Sequence, residues 1–256
     1  MKESACMDKK KLKKNIGFIA LFCVILCLSF VFVKNESKAD VEIELDKDKL
    51  DVVTFGDDFE FFYDEIENGV KTYGSSTGDK TVTYSNKYGI FSFNATKSGK
   101  VKKYEKESLT EGFLIKGTGT FKKVDITFEG SFYVDGSGRV MFYKGDMSLP
   151  EGETYSGTFY INEKCNSYKK GLYTWQNGHS YNGVFDVYQT KAGNNKSCLG
   201  NGNSYGDYYF GSEKESLHIK FNKGKPIETG TYKKNGVEYT AKYDSNGNCI
   251  STKKKS

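Results

Sequence analysis

Beyond residue 117 apolar and polar residues alternate with a period of two, and glycine falls repeatedly in the middle of the apolar set. The clearest stretch is Gly171 to Phe185, GLYTWQNGHSYNGVF. Tyr173 and Trp175 alternate with small or polar residues, the period of a strand with one buried face. Asn177-Gly178 follows at once and predicts a hairpin turned through a type I′ pair, which needs positive φ at both central residues. The return strand places Tyr181, Gly183 and Phe185 on one face. At Gly183 the missing side chain leaves room for a ring to pack down on the backbone.

The same pattern recurs along the chain. Phe128-Glu-Gly130-Ser-Phe132, Tyr155-Ser-Gly157-Thr-Phe159 and Tyr181-Asn-Gly183-Val-Phe185 share the form aromatic-x-Gly-x-Phe. Leu217-His-Ile219-Lys-Phe221 and Tyr239-Thr-Ala241-Lys-Tyr243 repeat it with the central glycine replaced. Each is preceded by a strand opening on glycine: Gly119, Gly138, Gly171, Gly206 and Gly230. Five such units predict a repeat array whose hairpins turn at Asn177-Gly178 and Asn235-Gly236.

The pattern G-x-Y-x-W-x-N-G-x-x-Y-x-G-x-F of the Gly171 unit resembles the MORN repeat (membrane occupation and recognition nexus), and the Gly138 and Gly230 units match it in part. The resemblance runs from about Gly117 to Gly247. It is interrupted by a long turn from Lys144 to Thr154, an insertion from Asp186 to Ser204, and the lost glycines at Ile219 and Ala241. It implies stacked hairpins that serve binding, assembly or membrane-proximal roles and bring no catalytic residues of their own. The positions that carry this architecture are Gly130, Phe132, Tyr155, Gly157, Phe159, Gly171, Tyr173, Trp175, Gly178, Tyr181, Gly183 and Phe185. The expected fold is all-β: an elongated antiparallel array of MORN-like β-hairpin repeats, preceded by a transmembrane helix.

Four segments follow. Residues 1–39 form a basic leader with an apolar span, 40–116 an acidic β cap or degenerate repeats, 117–250 the repeat array and 251–256 a solvated basic tail. In the leader, residues 16–33 carry no charge and are rich in Phe, Leu, Ile and Val. That length just suffices to cross a bilayer core as a helix, which needs about 17–25 residues. The lysines before it place the N-terminus in the cytoplasm and the rest of the chain outside. The run exceeds the roughly 7–15 residues of a signal-peptide core, which favours a retained anchor. Ser37-Lys-Ala39 nevertheless offers a small-x-small cleavage site that would release a secreted chain starting at Asp40.

Charge narrows the choice of partner. The net charge of +5 belongs to residues 1–39, with eight lysines against three acids, and the remaining chain is neutral. Nucleic acid is therefore not an expected partner, because that reading needs basic residues gathered on a folded face. Residues 40–70 hold twelve acids against Lys47 and Lys49. No EF-hand spacing runs through them, so a solvated cap is expected rather than a cation site.

Candidate chemistry is sparse. There are two histidines, His179 beside a turn and His218 in a repeat strand, where spacing points it away from the face of Leu217, Ile219 and Phe221. No CxxC, HExxH or phosphate-loop pattern occurs, so neither a metal nor a cofactor is expected. Neighbouring carboxylates such as Asp57-Asp58 and Asp64-Glu65 are the only opening for glycosidase-type catalysis. Cys165 and Cys198, in connections after successive repeats, are the pair that would form a disulfide, with unpaired thiols as the alternative. Off-motif aromatics, Tyr160, Tyr188 and Tyr209, fall on the face opposite the motif rings and are the candidate binding residues. The expected function is a non-catalytic, membrane-anchored, externally exposed binding or assembly protein at the cell envelope, engaging a protein or an envelope glycan. The alternatives are an envelope-associated hydrolase with carboxylate catalysis and a secreted adhesin- or toxin-like factor.

Protease applied to intact cells is expected to remove the repeats and leave a short membrane stub. Protection of the repeats would reverse the orientation, and a mature chain beginning at Asp40 would identify a cleaved signal instead.

Overall fold

The computed structural model describes residues 41–45, 50, 52, 81–85, 89–94, 100–101, 112–121, 125–134, 140–161, 166–189, 191, 193, 195–211 and 214–256. The chain divides into two compact units, residues 1–40 and 41–256. The expected membrane span at 16–33 lies outside the described residues, among which no helix is long and apolar enough to cross a membrane.

Among the described residues the second unit is one antiparallel sheet. Its strands are β1 (Thr81–Ser85), β2 (Gly89–Asn94), β3 (Lys100–Val101), β4 (Gly112–Phe121), β5 (Ile126–Val134), β6 (Val140–Ser148), β7 (Thr154–Ile161) and β8 (Asn166–Thr174). They continue as β9 (Ser180–Gln189), β10 (Asn195–Leu199), β11 (Asn201–Tyr209), β12 (Glu215–Asn222), β13 (Lys225–Lys234), β14 (Val237–Tyr243) and β15 (Cys249–Lys254). Strands next to each other in sequence are neighbours in space, except that β3 pairs only with β4, and β10 folds back on the distal half of β9. The all-β expectation is met; the one described helical turn is the 3-10 segment Pro150–Gly152.

Several boundaries differ from the expectation. Strand β4 begins at Gly112 and pairs with β2, so the sheet starts well before residue 117. Residues 251–254, expected as a solvated tail, are the end of β15, because Ser251, Thr252, Lys253 and Lys254 complete a ladder with β14. The long turn at Lys144–Thr154 is shorter than expected: β6 runs on to Ser148, and Leu149 N–H donates to Glu153 O at 2.9 Å to close the connection. The Asp186–Ser204 insertion is largely strand, with β9 running to Gln189 and pairing with β10.

Turn chemistry divides into two kinds. At Asn235-Gly236 both residues have positive φ (51° and 82°), the two-residue turn expected there. At Asn177-Gly178 only Gly178 does (81°), which corrects the type I′ assignment. Gly178 N–H donates to Trp175 O and Trp175 N–H to His179 O, both at 2.9 Å, enclosing a three-residue loop. The Asn177 side chain is drawn inward, accepting from His179 N–H at 3.0 Å. A turn followed by one left-handed glycine is the other common hairpin solution, and Asp244–Asn248 repeats it with Gly247 (φ 80°).

The sheet is organised by a ladder of glycines. Gly117, Gly130, Gly145, Gly157, Gly171 and Gly183 stand directly opposite one another across β4 to β9. Farther along, Gly206 faces Ile219, Gly230 faces Ala241, and Ala241 faces Thr252. A row of buried rings flanks each side of the ladder. On one side Tyr155, Tyr173, Tyr181 and Tyr208 are successive cross-strand partners; on the other lie Phe132, Phe142, Phe159, Tyr168 and Phe185. Ring pairs such as Tyr155–Tyr168 (4.3 Å) and Phe128–Phe142 (4.6 Å) are close enough for each to contribute about 0.5–1.5 kcal/mol beyond area burial.

The motif order decides where each tyrosine goes. Strand side chains lean along the strand direction. In aromatic-x-Gly the ring therefore lies over its own glycine: a Cβ on Gly130 would meet the Phe128 ring at 2.9 Å, one on Gly157 the Tyr155 hydroxyl at 2.6 Å, and one on Gly183 the Tyr181 hydroxyl at 2.4 Å. The Tyr155 hydroxyl then donates to Thr158 O (2.6 Å) and that of Tyr181 to Val184 O (3.0 Å). In Gly-x-Tyr the glycine lies behind the ring, which reaches the sheet rim instead. There the hydroxyls of Tyr173 and Tyr232 donate to Glu153 and Glu215, and Tyr208 pairs with Nδ1 of His179 at 2.7 Å.

An extended N-terminal strap completes the core. Val41, Ile43 and Leu45 turn inward while Glu42 and Glu44 stay exposed, and Leu50 and Val52 are buried in the same cluster. Thr252 Oγ1 accepts from Val41 N–H and donates to Val41 O, both at 2.8 Å. The described part of the acidic segment is thus core-forming on one side and solvated on the other.

Replacing Gly171 by Ala puts a Cβ 2.2 Å from Ser156 O and 2.7 Å from Gly157 Cα, backbone atoms that cannot swing aside. Chemical denaturation is expected to show a loss of about 2–3 kcal/mol for Gly171→Ala. A loss is also expected for Gly183→Ala, where the nearest atoms are the hydroxyl and ring of the fully buried Tyr181. A Gly171→Ala protein as stable as the parent would refute the close strand contact.

Candidate functional site

Because the glycines are in register, so are the residues on either side of each of them, and these point to the opposite, open face. One row runs Lys116, Ser131, Lys144, Thr158, Lys170; a second runs Thr118, Glu129, Asp146, Ser156, Leu172, Asn182. A third row is almost all hydroxyl: Thr120, Thr127, Ser148, Thr154, Thr174, Ser180. Neighbouring strands are about 4.8 Å apart, and two rows on one strand about 6.7 Å apart, which follows from strand geometry alone. Threonine suits an exposed strand position, so the hydroxyl row has a sufficient structural reason.

The rows enclose two shallow grooves. The larger, about 540 Å³, has the backbone of Gly117, Gly130 and Gly145 as its floor; Lys116, Ser131 and Lys144 form one wall and Thr118, Glu129 and Asp146 the other. The second, about 400 Å³, lies between the middle and hydroxyl rows and reaches Leu172. Glu129 stands directly opposite Asp146, an unfavourable like-charge pair relieved on one side by a hydrogen bond from the Ser156 hydroxyl to Asp146. Lys116, Lys144 and Glu129 make no ion pair among the described residues.

A second polar group lies farther along the same face. His218 Nδ1 is 2.7 Å from Asp207 Oδ1, and its ring stacks on Tyr205 with centroids 5.0 Å apart. Lys220 Nζ sits 5.4 Å from the Tyr205 ring centre and pairs with Glu228 at 3.1 Å. His218 faces away from Leu217 and Ile219, as strand spacing predicts. Tyr205 is 49% exposed, and the signal for it was in the sequence: it precedes the motif glycine Gly206 and so must take the open face.

The nominated tyrosines fall on three strands and all are half-buried. The Tyr160 hydroxyl donates to Phe185 O at 3.2 Å, and Lys169 Nζ lies 5.6 Å from its ring centre. Tyr188 stands opposite Lys196 in the β9–β10 hairpin, and Tyr209 continues the hydroxyl row between Ser180 and Ser216. Cys198 is buried, and its thiol donates to Asp186 O at 3.6 Å; its expected partner Cys165 lies outside the described residues. Asp57-Asp58 and Asp64-Glu65 lie outside them as well. The carboxylates that the fold does bring together are Glu129 and Asp146, 17 residues apart in sequence and joined only by register.

Among the described residues no group of three or more His, Cys, Asp or Glu is arranged to hold a metal ion. The packed face is chemically quiet: burial pushes the hydroxyls of Tyr155, Tyr168, Tyr181 and Tyr243 well above the ordinary tyrosine range. His179, at the rim of that face, is engaged with Tyr208. Compared with known proteins, the chain matches no family model and no curated protein.

The raised hydroxyls make stability depend on alkali. The folded state keeps them protonated where the unfolded chain has released them, so their contribution is full below about pH 10 and falls as the pH rises toward the folded values. Each such tyrosine subtracts about 1.4 kcal/mol per pH unit in that window. Base titration is expected to show tyrosinate absorbance rising in step with loss of the sheet signal in circular dichroism, and Tyr181→Phe should flatten the slope. Complete tyrosine ionisation with the sheet intact would refute the closed face.

Proposed function

We propose that the chain is a non-catalytic binding or assembly protein of the cell envelope, of MORN-repeat type, held or delivered through residues 16–33 and engaging its partner with the open face of the sheet. The observation that carries this reading is the division of labour between faces. One face spends its rings on each other and on backbone carbonyls; the other carries registered rows of exposed polar groups and two grooves. A packed face plus a patterned open face is how sheet arrays present recognition surfaces. The lysine-flanked apolar run supports an envelope location with the sheet outside. The partner is a protein or an envelope glycan; the neutral balance beyond residue 39 and the mixed charge of the open face argue against nucleic acid. Cleavage after Ala39 would convert the same surface into a secreted adhesin- or toxin-like factor.

One observation favours the hydrolase reading enough to test it. Glu129 and Asp146 face each other across adjacent strands beside a groove, a spacing within reach of acid–base work on a glycosidic bond. Both side chains are exposed, and the groove beside them is shallow.

The full chain in detergent is expected to be inert toward ester, phosphoester and glycan substrates while retaining an envelope protein or wall glycan. That retention should weaken in Leu172→Glu and Tyr205→Ala, which alter the open face and leave the packed one intact. Glycan hydrolysis abolished by Glu129→Gln would establish the enzyme instead.

A further inference from the structure

We propose that the groove floored by Gly117, Gly130 and Gly145 binds an extended polypeptide segment in which basic and acidic residues alternate. The inference rests on the binding reading above and names the ligand class for that surface. The argument is charge complementarity. One wall holds Lys116 and Lys144 and the other Glu129 and Asp146, none of these lysines nor Glu129 being paired within the described protein. The like-charged Glu129 and Asp146 are held directly opposite one another, an arrangement that a ligand cation between them would turn from a cost into a clasp.

The geometry selects the ligand. An extended peptide lying along the groove, across the strands, sends successive side chains to opposite sides. Residues of one parity therefore meet the lysine wall and those of the other parity the carboxylate wall. Side chains of the same parity recur about every 6.7 Å, and the two lysines, on alternate strands, are about 9.6 Å apart, a difference that their flexible stems absorb. The floor itself offers no free backbone partner, since β4, β5 and β6 are paired on both edges, so recognition is left to the two walls. A uniformly anionic glycan would answer the lysine wall only.

The test uses the full chain in detergent with two synthetic peptides of equal composition, one alternating Lys and Glu, the other a Lys block followed by a Glu block. Fluorescence anisotropy is expected to show salt-sensitive binding of the alternating peptide and markedly weaker binding of the block peptide. Lys144→Glu and Asp146→Lys should each weaken the former about five-fold, the most that an exposed pair commonly contributes. Exchanging both walls (Lys116→Glu, Lys144→Glu, Glu129→Lys, Asp146→Lys) should restore it, because the peptide can shift by one residue. Unchanged circular dichroism shows that these exposed substitutions leave the sheet folded. Equal binding of both peptides, indifference to the wall substitutions, or binding of a wall glycan in place of the peptide would overturn the proposal. Envelope retention that survives the wall substitutions would reject this ligand while leaving the binding function standing.

Discussion

The structure depends on rings lying on glycines. A sheet with one buried face must still fill that face without a second sheet stacked on it. This chain does so by letting each aromatic-x-Gly ring fold across the strand that carries it. The glycine is required because a methyl group there would occupy the position of the ring or of the neighbouring strand's backbone. With six glycines in register, the space they leave is continuous, and the two flanking rows of rings close over it. The hydroxyls of Tyr155 and Tyr181 end against carbonyls of their own strands, so burial of these polar groups costs little.

The same constraint produces the open face. Register imposed by the ladder aligns every residue before and after a motif glycine, and the side chains there are free to be chosen for something other than packing. The packed face tolerates few exchanges, since its volume is filled by interlocking rings. The open face tolerates many. Patterned charge in such rows is therefore not what holds the packed face together.

Much of this was legible in the sequence, and for a physical reason. Period-two alternation with glycine at fixed offsets marks both the strands and their buried face, so Tyr173, Trp175, Tyr181 and Phe185 could be placed before any coordinates. Turns were legible where side-chain chemistry dominates, as at Asn235-Gly236, but less so where loop length decides, as at Asn177-Gly178. Lys223-Gly224 also forms a two-residue turn with both φ positive (50° and 77°), and lysine at its first position gives no local signal. The open-face rows were spelled out one residue from each glycine, yet their meaning required register: Glu129 and Asp146 are unremarkable until β5 and β6 are set side by side. The strap escaped for the opposite reason. Val41, Ile43 and Leu45 alternate like any strand, and nothing local shows that the seat of Val41 is a threonine 211 residues away.

That seat bears on how the chain is made. Thr252 lies 211 residues after Val41, so the place where Val41 docks does not exist until the intervening strands have been synthesised. The hairpins, whose contacts are local, can close one after another as they emerge, whereas the strap must wait with its apolar side uncovered. Loop closure over such a separation is slow compared with hairpin formation. Until Thr252 is in place the growing chain is thus an array with one seat unfilled, and Val41 and Thr252 join only after the strands between them have been made.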